Sequence, residues 1–312
     1  MMMDLLIKKI KTTENPTVVG LDPTLEIIPQ YIKKEMFDGL GKTPNAVGAM
    51  FTKFNKAIID AICDLVPAVK LQIAMYEGYG IAGIKSYIQT AEYAKQKDLI
   101  VIGDIKRGDI SSTAEAYASH IGGVTIEGVN HDSWKVDAIT VNPYFGTDGI
   151  LPFIKNCKTY NKGIFILIRT SNKSSYELQE LKIAGSGRPL YHHVADLVGE
   201  WGKDLIGQHG YSLIGAVVGA THKDQGISLR RQLPHTFFLV PGYGAQGGTG
   251  ADLRGYFDKN GLGITVNSSR GIIGAWKKEE NAENSDMPID FAASSREAAI
   301  RMKKDLQLAM EG

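Results

Sequence analysis

Cysteine is nearly absent. The 312 residues hold two, Cys63 and Cys157, in unrelated contexts. That excludes a disulfide framework and a thiolate zinc site, and leaves two buried or free thiols suited to a reducing cytoplasm. An excess of charge is also missing: 35 Lys and Arg balance 34 Asp and Glu, for a net charge of +1. Such a chain presents no field for a polyanion, so nucleic acid is not an expected partner. No apolar run approaches the roughly 20 residues that a membrane-spanning helix needs, so no membrane partner is expected. The first stretch, MMMDLLIKKIKTTENP, reads as a short amphipathic helix, too short and too charged for a signal peptide. There is no internal repeat and no long low-complexity segment.

What is present is an alternation. Apolar runs rich in β-branched residues at 17–21, 68–74, 99–102, 136–141, 163–168, 212–218, 237–240 and 263–266 read as buried parallel strands. Helical stretches separate them, at about 49–65, 79–97, from 114, 190–208 and from 223, and a last one runs over 288–310. This pattern predicts an α/β chain folded as a (β/α)8 TIM barrel, a single domain over 1–312 with an N-terminal helix and loop insertions near 26–45, 173–189 and 277–286. The polar segment 173–189, with Gly185-Ser186-Gly187, is expected to be a mobile loop over one end of the barrel. An open doubly wound sheet would want a glycine-rich dinucleotide turn after the first strand, and Gly20-Leu21-Asp22-Pro23 is not one.

The densest chemistry lies in LIVIGDIKRGDISST, residues 99–113. A strand has a side-chain period of two, so Asp104 and Lys106 should point to the same side. Three charges as close as Asp104, Lys106 and Asp109, at the end of a buried strand, are costly unless they face one another. Taken alone, the pattern is read more readily as a solvated loop with an ordinary ion pair, followed by a helix capped by Ser111, Ser112 or Thr113. Lys70, in the middle of AVKLQIA, needs a carboxylate partner, and Asp104 on the next strand is the candidate; the alternative is an outward lysine snorkelling to water. Asp22 ends the first strand, as a functional carboxylate or as an Asp-Pro turn with a helix cap. Every polar cluster falls after a strand, on the face where a barrel carries its chemistry. The loops after strands seven and eight, which often hold a phosphate in this fold, carry PGYGAQGG and NSSRG. Glycines let backbone N–H groups approach phosphate oxygens, and Arg270 adds a bidentate charged grip.

Together, Asp104-x-Lys106-x-x-Asp109, Lys70 upstream, PGYGAQGG and the Ser269-Arg270 pair resemble the orotidine 5′-phosphate decarboxylase family. The resemblance covers nearly the whole barrel, and the insertions point to the longer bacterial subgroup. It implies decarboxylation of orotidine 5′-monophosphate to uridine 5′-monophosphate, the last step of de novo pyrimidine nucleotide synthesis, in the cytoplasm, with no cofactor and no metal. It implies that Lys70, Asp104, Lys106 and Asp109 form an alternating charge network in which Lys106 protonates C6 as carbon dioxide leaves. Asp22 would bind the ribose hydroxyls, and Gln246, Ser269 and Arg270 the phosphate. Ser171, or Thr170 in its place, would contact the pyrimidine. Asp109 and Thr113 would reach into the active site of a neighbouring subunit, so a homodimer is implied. Gln72 stands where other members carry a different polar residue, and a ribose contact is expected of it.

The chemistry fits the residues independently. The carbanion left by decarboxylation lies in the ring plane, with no π-system to absorb it. The sequence offers no pyridoxal lysine motif, thiamine site or metal-ligand cluster, so the remaining tool is a preorganised ammonium beside the developing charge. Two rival readings stand. A metal-dependent sugar-phosphate decarboxylase or aldol-type enzyme also carries a DxK strand, but needs an acidic metal ligand nearby, for which Glu77 is the nearest candidate. A non-catalytic nucleotide-binding barrel would not require two lysines interleaved with two carboxylates.

Overall fold

Strands that are apolar on both faces cannot meet water on either side, and here they close on themselves. The computed structural model describes residues 1–278 and 290–310. Its strands are β1 (Thr17–Gly20), β2 (Ala68–Gln72), β3 (Ile100–Arg107), β4 (Val124–Ile126), β5 (Val129–His131), β6 (Ala138–Val141), β7 (Gly163–Arg169), β8 (Ile214–Val218), β9 (Phe238–Val240) and β10 (Ile264–Ser268). Eight of them form a closed parallel barrel in the order β1-β10-β9-β8-β7-β6-β3-β2. The ring is sealed by β1 against β10, with Val18 opposite Asn267. Helices run between the barrel strands, which is the expected (β/α)8 architecture.

Several boundaries differ from expectation. The strand expected over 68–74 stops at Gln72, because Ile73 turns into αR and starts the short helix Ala74–Glu77. The helix expected from 49 begins at Pro44. Thr43 caps it, its Oγ1 accepting the Ala46 N–H at 3.3 Å, and a proline suits the first turn. The insertion near 26–45 is therefore largely helical, with a 3-10 turn at Leu25–Ile27 and a helix at Gln30–Leu40. None of Ser111, Ser112 or Thr113 caps the next helix, Ser111–Gly122; its N-cap is Ile110, without a side-chain bond. The antiparallel pair β4–β5 was not expected. Its signal is VTIEGVNH, where Glu127 and Gly128 both take positive φ, 48° and 84°, as a two-residue I′ hairpin turn requires.

The segment 173–189 holds a 3-10 turn at Lys173–Ser175 and a short helix at Tyr176–Gln179, so it is more structured than the loop expected there. The helix expected over 190–208 is Leu190–Gly202, followed by a 3-10 turn. Of the surface loop expected over 277–286, only 277–278 fall within the described residues, closing a 3-10 turn; the rest lies outside them. The last helix is Phe291–Met310. No helix among the described residues is long and apolar enough to cross a membrane.

Candidate active site

Parallel pairing brings Lys70, Gln72 and Asp104 together at the carboxyl ends of β2 and β3, with Gln72 opposite Asp104 in register. Asp104 is the hub. Its Oδ1 accepts from the Lys106 ammonium at 2.6 Å and from the Thr140 hydroxyl at 2.9 Å. Its Oδ2 accepts from Lys70 and from the Gln72 amide, both at 3.0 Å. Lys70, 4% exposed, also reaches both oxygens of Asp22 at 3.3 Å. Asp22 is itself held by the Gln72 backbone N–H at 3.0 Å and the Ser269 hydroxyl at 2.6 Å. Charges thus alternate as Lys106, Asp104, Lys70, Asp22. The expected Lys70–Asp104 pair is present, and Asp22 as a second partner of Lys70 was not foreseen.

The electrostatics follow from the geometry. Burial alone would push the Asp104 carboxyl up, but the ammonium groups of Lys70 and Lys106 outweigh it and hold the group well below the usual carboxylate range. Burial works against the charge of Lys70, yet Asp104 and Asp22 raise its pKa above the ordinary lysine value. Lys106 differs in place: 44% of its side chain is exposed, on the cavity side of the cluster.

Asp104 and Lys106 meet, but not through simple pleating. Lys106 has φ 47°, in the left-handed region, and the register of β3 against β6 shifts between Gly103 and Arg107. A non-glycine residue there costs about 1–3 kcal/mol unless its surroundings impose it. The Thr140 hydroxyl does so, accepting the Lys106 N–H at 2.9 Å while donating to Asp104.

Two chambers of about 370 and 460 Å³ open on this cluster and share Lys70, Asp104, Pro241, Gln246 and Asn267 in their walls. The first adds Lys106, Thr140, Thr170 and Ser171; the second adds Asp22, Gln72, Ser269 and Arg270. A third cavity, about 600 Å³, continues outward past Arg270 to Lys278 and Arg301. Arg270 is exposed and makes no ion pair among the described residues. Gln246 sits in the glycine loop, which Asp305 of the last helix pins by accepting from the Tyr243 hydroxyl at 2.7 Å and the Gly250 N–H at 2.8 Å.

Other expected residues stand elsewhere. Asp109 does not face Lys106: its carboxylate accepts the Ile110 N–H at 2.7 Å and pairs with no cation among the described residues. After Lys106 the chain crosses to β6, where the Asn142 N–H bonds to the Arg107 carbonyl at 2.8 Å, and this carries Asp109 away from the cluster. Thr113 is exposed on the helix Ser111–Gly122. The Thr170 hydroxyl is already engaged, accepting from Gln179 at 2.7 Å and donating to Asn172 at 2.6 Å. Gln72 turns its amide to Asp104, and Ser269 turns its hydroxyl to Asp22. Glu77 pairs with Arg107 at 2.8 Å. Among the described residues no three His, Cys, Asp or Glu side chains converge as metal ligands.

Two polar residues, Thr140 and Arg169, escaped the sequence reading as parts of the site, and Asn267 was read only as part of the loop after strand eight. Thr140 was visible only as a hydroxyl in the apolar run VDAITV. Asn267 lines both chambers and has a buried Oδ1 with no hydrogen-bond partner among the described residues. Arg169, which closes the run GIFILIR, is 1% exposed rather than a loop residue.

A closed parallel barrel with a buried, charge-alternating cluster under a cavity at the carboxyl ends of its strands has the layout of a barrel enzyme. The chain belongs to the orotidine 5′-phosphate decarboxylase / HUMPS family, whose model matches residues 17–285. It is 42% identical to the orotidine 5′-phosphate decarboxylase of Clostridium tetani over 311 residues, 99% of each chain. It is 40% identical to that of Caldicellulosiruptor saccharolyticus over 308 residues, 98% of each. Among solved structures, the Leishmania donovani OMP decarboxylase superposes with a TM-score of 0.73 at 28% identity, covering 100% of this chain and 99% of that one.

Proposed function

We propose that the protein decarboxylates orotidine 5′-monophosphate to uridine 5′-monophosphate in the cytoplasm, without a cofactor. The observation that carries this reading is the Asp104 carboxylate bridging two ammonium groups, Lys70 buried and Lys106 facing the cavity. In the step proposed, the bond from C6 to the carboxylate breaks, carbon dioxide leaves, and the electron pair stays on C6 in the ring plane. Lys106 stands beside that pair and passes a proton to C6. Lys70 is the fixed cation that keeps Asp104 ionised, and Asp104 in turn orients Lys106. The ammonium is held before the charge develops, so little reorganisation accompanies the reaction. Release of carbon dioxide and uridine 5′-monophosphate in equal amounts from the substrate tests the reading; a bound but unaltered nucleotide would overturn it. The metal-dependent rival loses its extra ligand, because Glu77 is committed to Arg107.

Asp22 is assigned to the ribose hydroxyls, with Gln72 and Ser269 orienting its neighbourhood. Gln246 and Arg270 are assigned to the phosphate. Arg270→Ala should weaken binding of uridine 5′-monophosphate about 10- to 100-fold, the range expected for losing hydrogen bonds to a charged group. It should also lower kcat, since binding energy at a remote phosphate can be used to close the site. Isothermal titration and steady-state kinetics check both effects.

Asp109, the fourth charge of the network expected from the sequence, is assigned to a neighbouring subunit's site, together with Thr113. The carboxylate has no cation of its own among the described residues, and the exposed apolar side chains of Ile110, Tyr144 and Phe145 lie close by in the chain or in space, with Phe145 packed near Gly108. A homodimer with shared sites makes a specific prediction. Mixed and reassociated Lys106→Ala and Asp109→Ala subunits should regain about a quarter of wild-type activity, because half the dimers are mixed and each has one intact site. Lack of recovery, with mixed dimers detected by mass spectrometry, would place Asp109 outside the partner's site.

A further inference from the structure

We infer that Arg169 is a positioning residue for base recognition: acting through Gln179, it holds the Thr170–Ser171 segment against the cavity and so sets the preference for a pyrimidine ring. This rests on the reading of Ser171 as the contact to the base.

Arg169 ends β7 with its guanidinium inside the protein, where a cation is costly. No carboxylate of the barrel compensates it. The carboxylate comes from Glu180, eleven residues further on, and Ser175 and Gln225 take further N–H groups of the guanidinium. Its Nη2 also faces Nδ1 of His222 at 3.4 Å. The buried charge therefore fastens the segment 173–180 to the barrel rather than filling a core.

The fastening is passed on to the cavity wall. Gln179 Oε1 accepts from Arg169 Nη1 at 3.1 Å and from the Thr170 N–H at 3.0 Å. Gln179 Nε2 donates to the Thr170 hydroxyl, which donates onward to Asn172. Thr170 is thereby saturated within its own loop, and Ser171 is the residue left beside Gln246. A second restraint acts on Ser171 from the opposite side. Its carbonyl accepts from the Thr221 hydroxyl at 3.2 Å, and its backbone lies so close to Gly219 that a Cβ there would stand 2.9 Å from the Ser171 N and Cα. Only glycine permits this approach. One restraint fixes Thr170 through Gln179, an unrelated one fixes Ser171 through Thr221 and Gly219, and two restraints on adjacent residues are more than a staple for a loop requires.

The variants Gln179→Met and Gly219→Ala test this. Both leave Arg169 paired with Glu180; Gln179 lies half-buried at the surface, so the fold should survive Gln179→Met, and the urea unfolding midpoint checks the fold of Gly219→Ala, whose position is buried. Isothermal titration with uridine 5′-monophosphate and with ribose 5-phosphate separates the base from the rest of the ligand. Both variants should weaken uridine 5′-monophosphate binding about tenfold, the cost of one well-placed hydrogen bond, and raise KM for the orotidine nucleotide. Ribose 5-phosphate binding should not change. Gln179→Glu, which keeps the acceptor shared by Arg169 and Thr170, should recover most of the affinity. Equal losses on both ligands, or no loss on either, would overturn the inference while wild-type turnover leaves the functional reading intact. A wild-type protein that does not turn over the orotidine nucleotide would overturn both.

Discussion

Lys106→Ala should lower kcat for orotidine 5′-monophosphate by about 10⁴-fold or more, while uridine 5′-monophosphate still binds within a few-fold of wild type. The magnitude combines two losses. A positioned proton donor contributes up to about 10⁴-fold, and a preorganised charge beside the developing carbanion contributes about 10²- to 10³-fold more. Binding is spared because Arg270, assigned to the phosphate, lines the second chamber and not the one that holds Lys106. The side chain is 44% exposed, so its removal leaves no deep void and the fold should hold. Kinetics and titration on one preparation decide this. Retention of a tenth or more of wild-type kcat would remove Lys106 from the proton transfer.

Asp104→Asn should be the most disruptive conservative change. It removes the charge that both ammonium groups share while keeping the shape. Breaking a buried pair from one side costs about 3–5 kcal/mol, lessened here because Asp22 still holds Lys70. Turnover should fall by about 10³-fold or more, since Lys106 loses the partner that aims it. The pH dependence separates this from a packing defect. The folded-state pKa of Asp104 is depressed, so its contribution is full above the unfolded value near about 4 and is lost as pH falls toward the folded pKa. The stability gap between wild type and Asp104→Asn, measured in urea, should be constant above about pH 5 and shrink in acid. Lys70 carries the opposite sign. Its raised pKa gives stability that is full below about 10 and is lost only as pH rises beyond that. Neither group should change the stability of the wild type between about pH 5 and 9. A gap independent of pH down to the acid limb would contradict the assigned ionisation.

The parts legible in the sequence were those whose physics is local or forced. Eight apolar runs had to be buried on both faces, and alternation with helices left few ways to do it. Lys70 needed an acid, and Asp104 was the acid one strand away. What stayed hidden depends on neighbours that only register supplies. Thr140 reads as one hydroxyl in a strand until β6 lies beside β3 and sets it between the Lys106 N–H and Asp104. Arg169 reads as the start of a polar loop until Glu180 folds back over it. The left-handed turn at Lys106 has no glycine to announce it. Asp109 stands out in the sequence as a charge near the strand end, but nothing in one chain's sequence says which way a loop carries it.

The measurement closest to the central claim is the loss of ultraviolet absorbance of orotidine 5′-monophosphate on adding purified protein, with and without EDTA. The account predicts rapid loss that chelation does not alter, and that Lys106→Ala abolishes. Loss that EDTA suppresses, or a nucleotide that binds and stays unchanged, would contradict it.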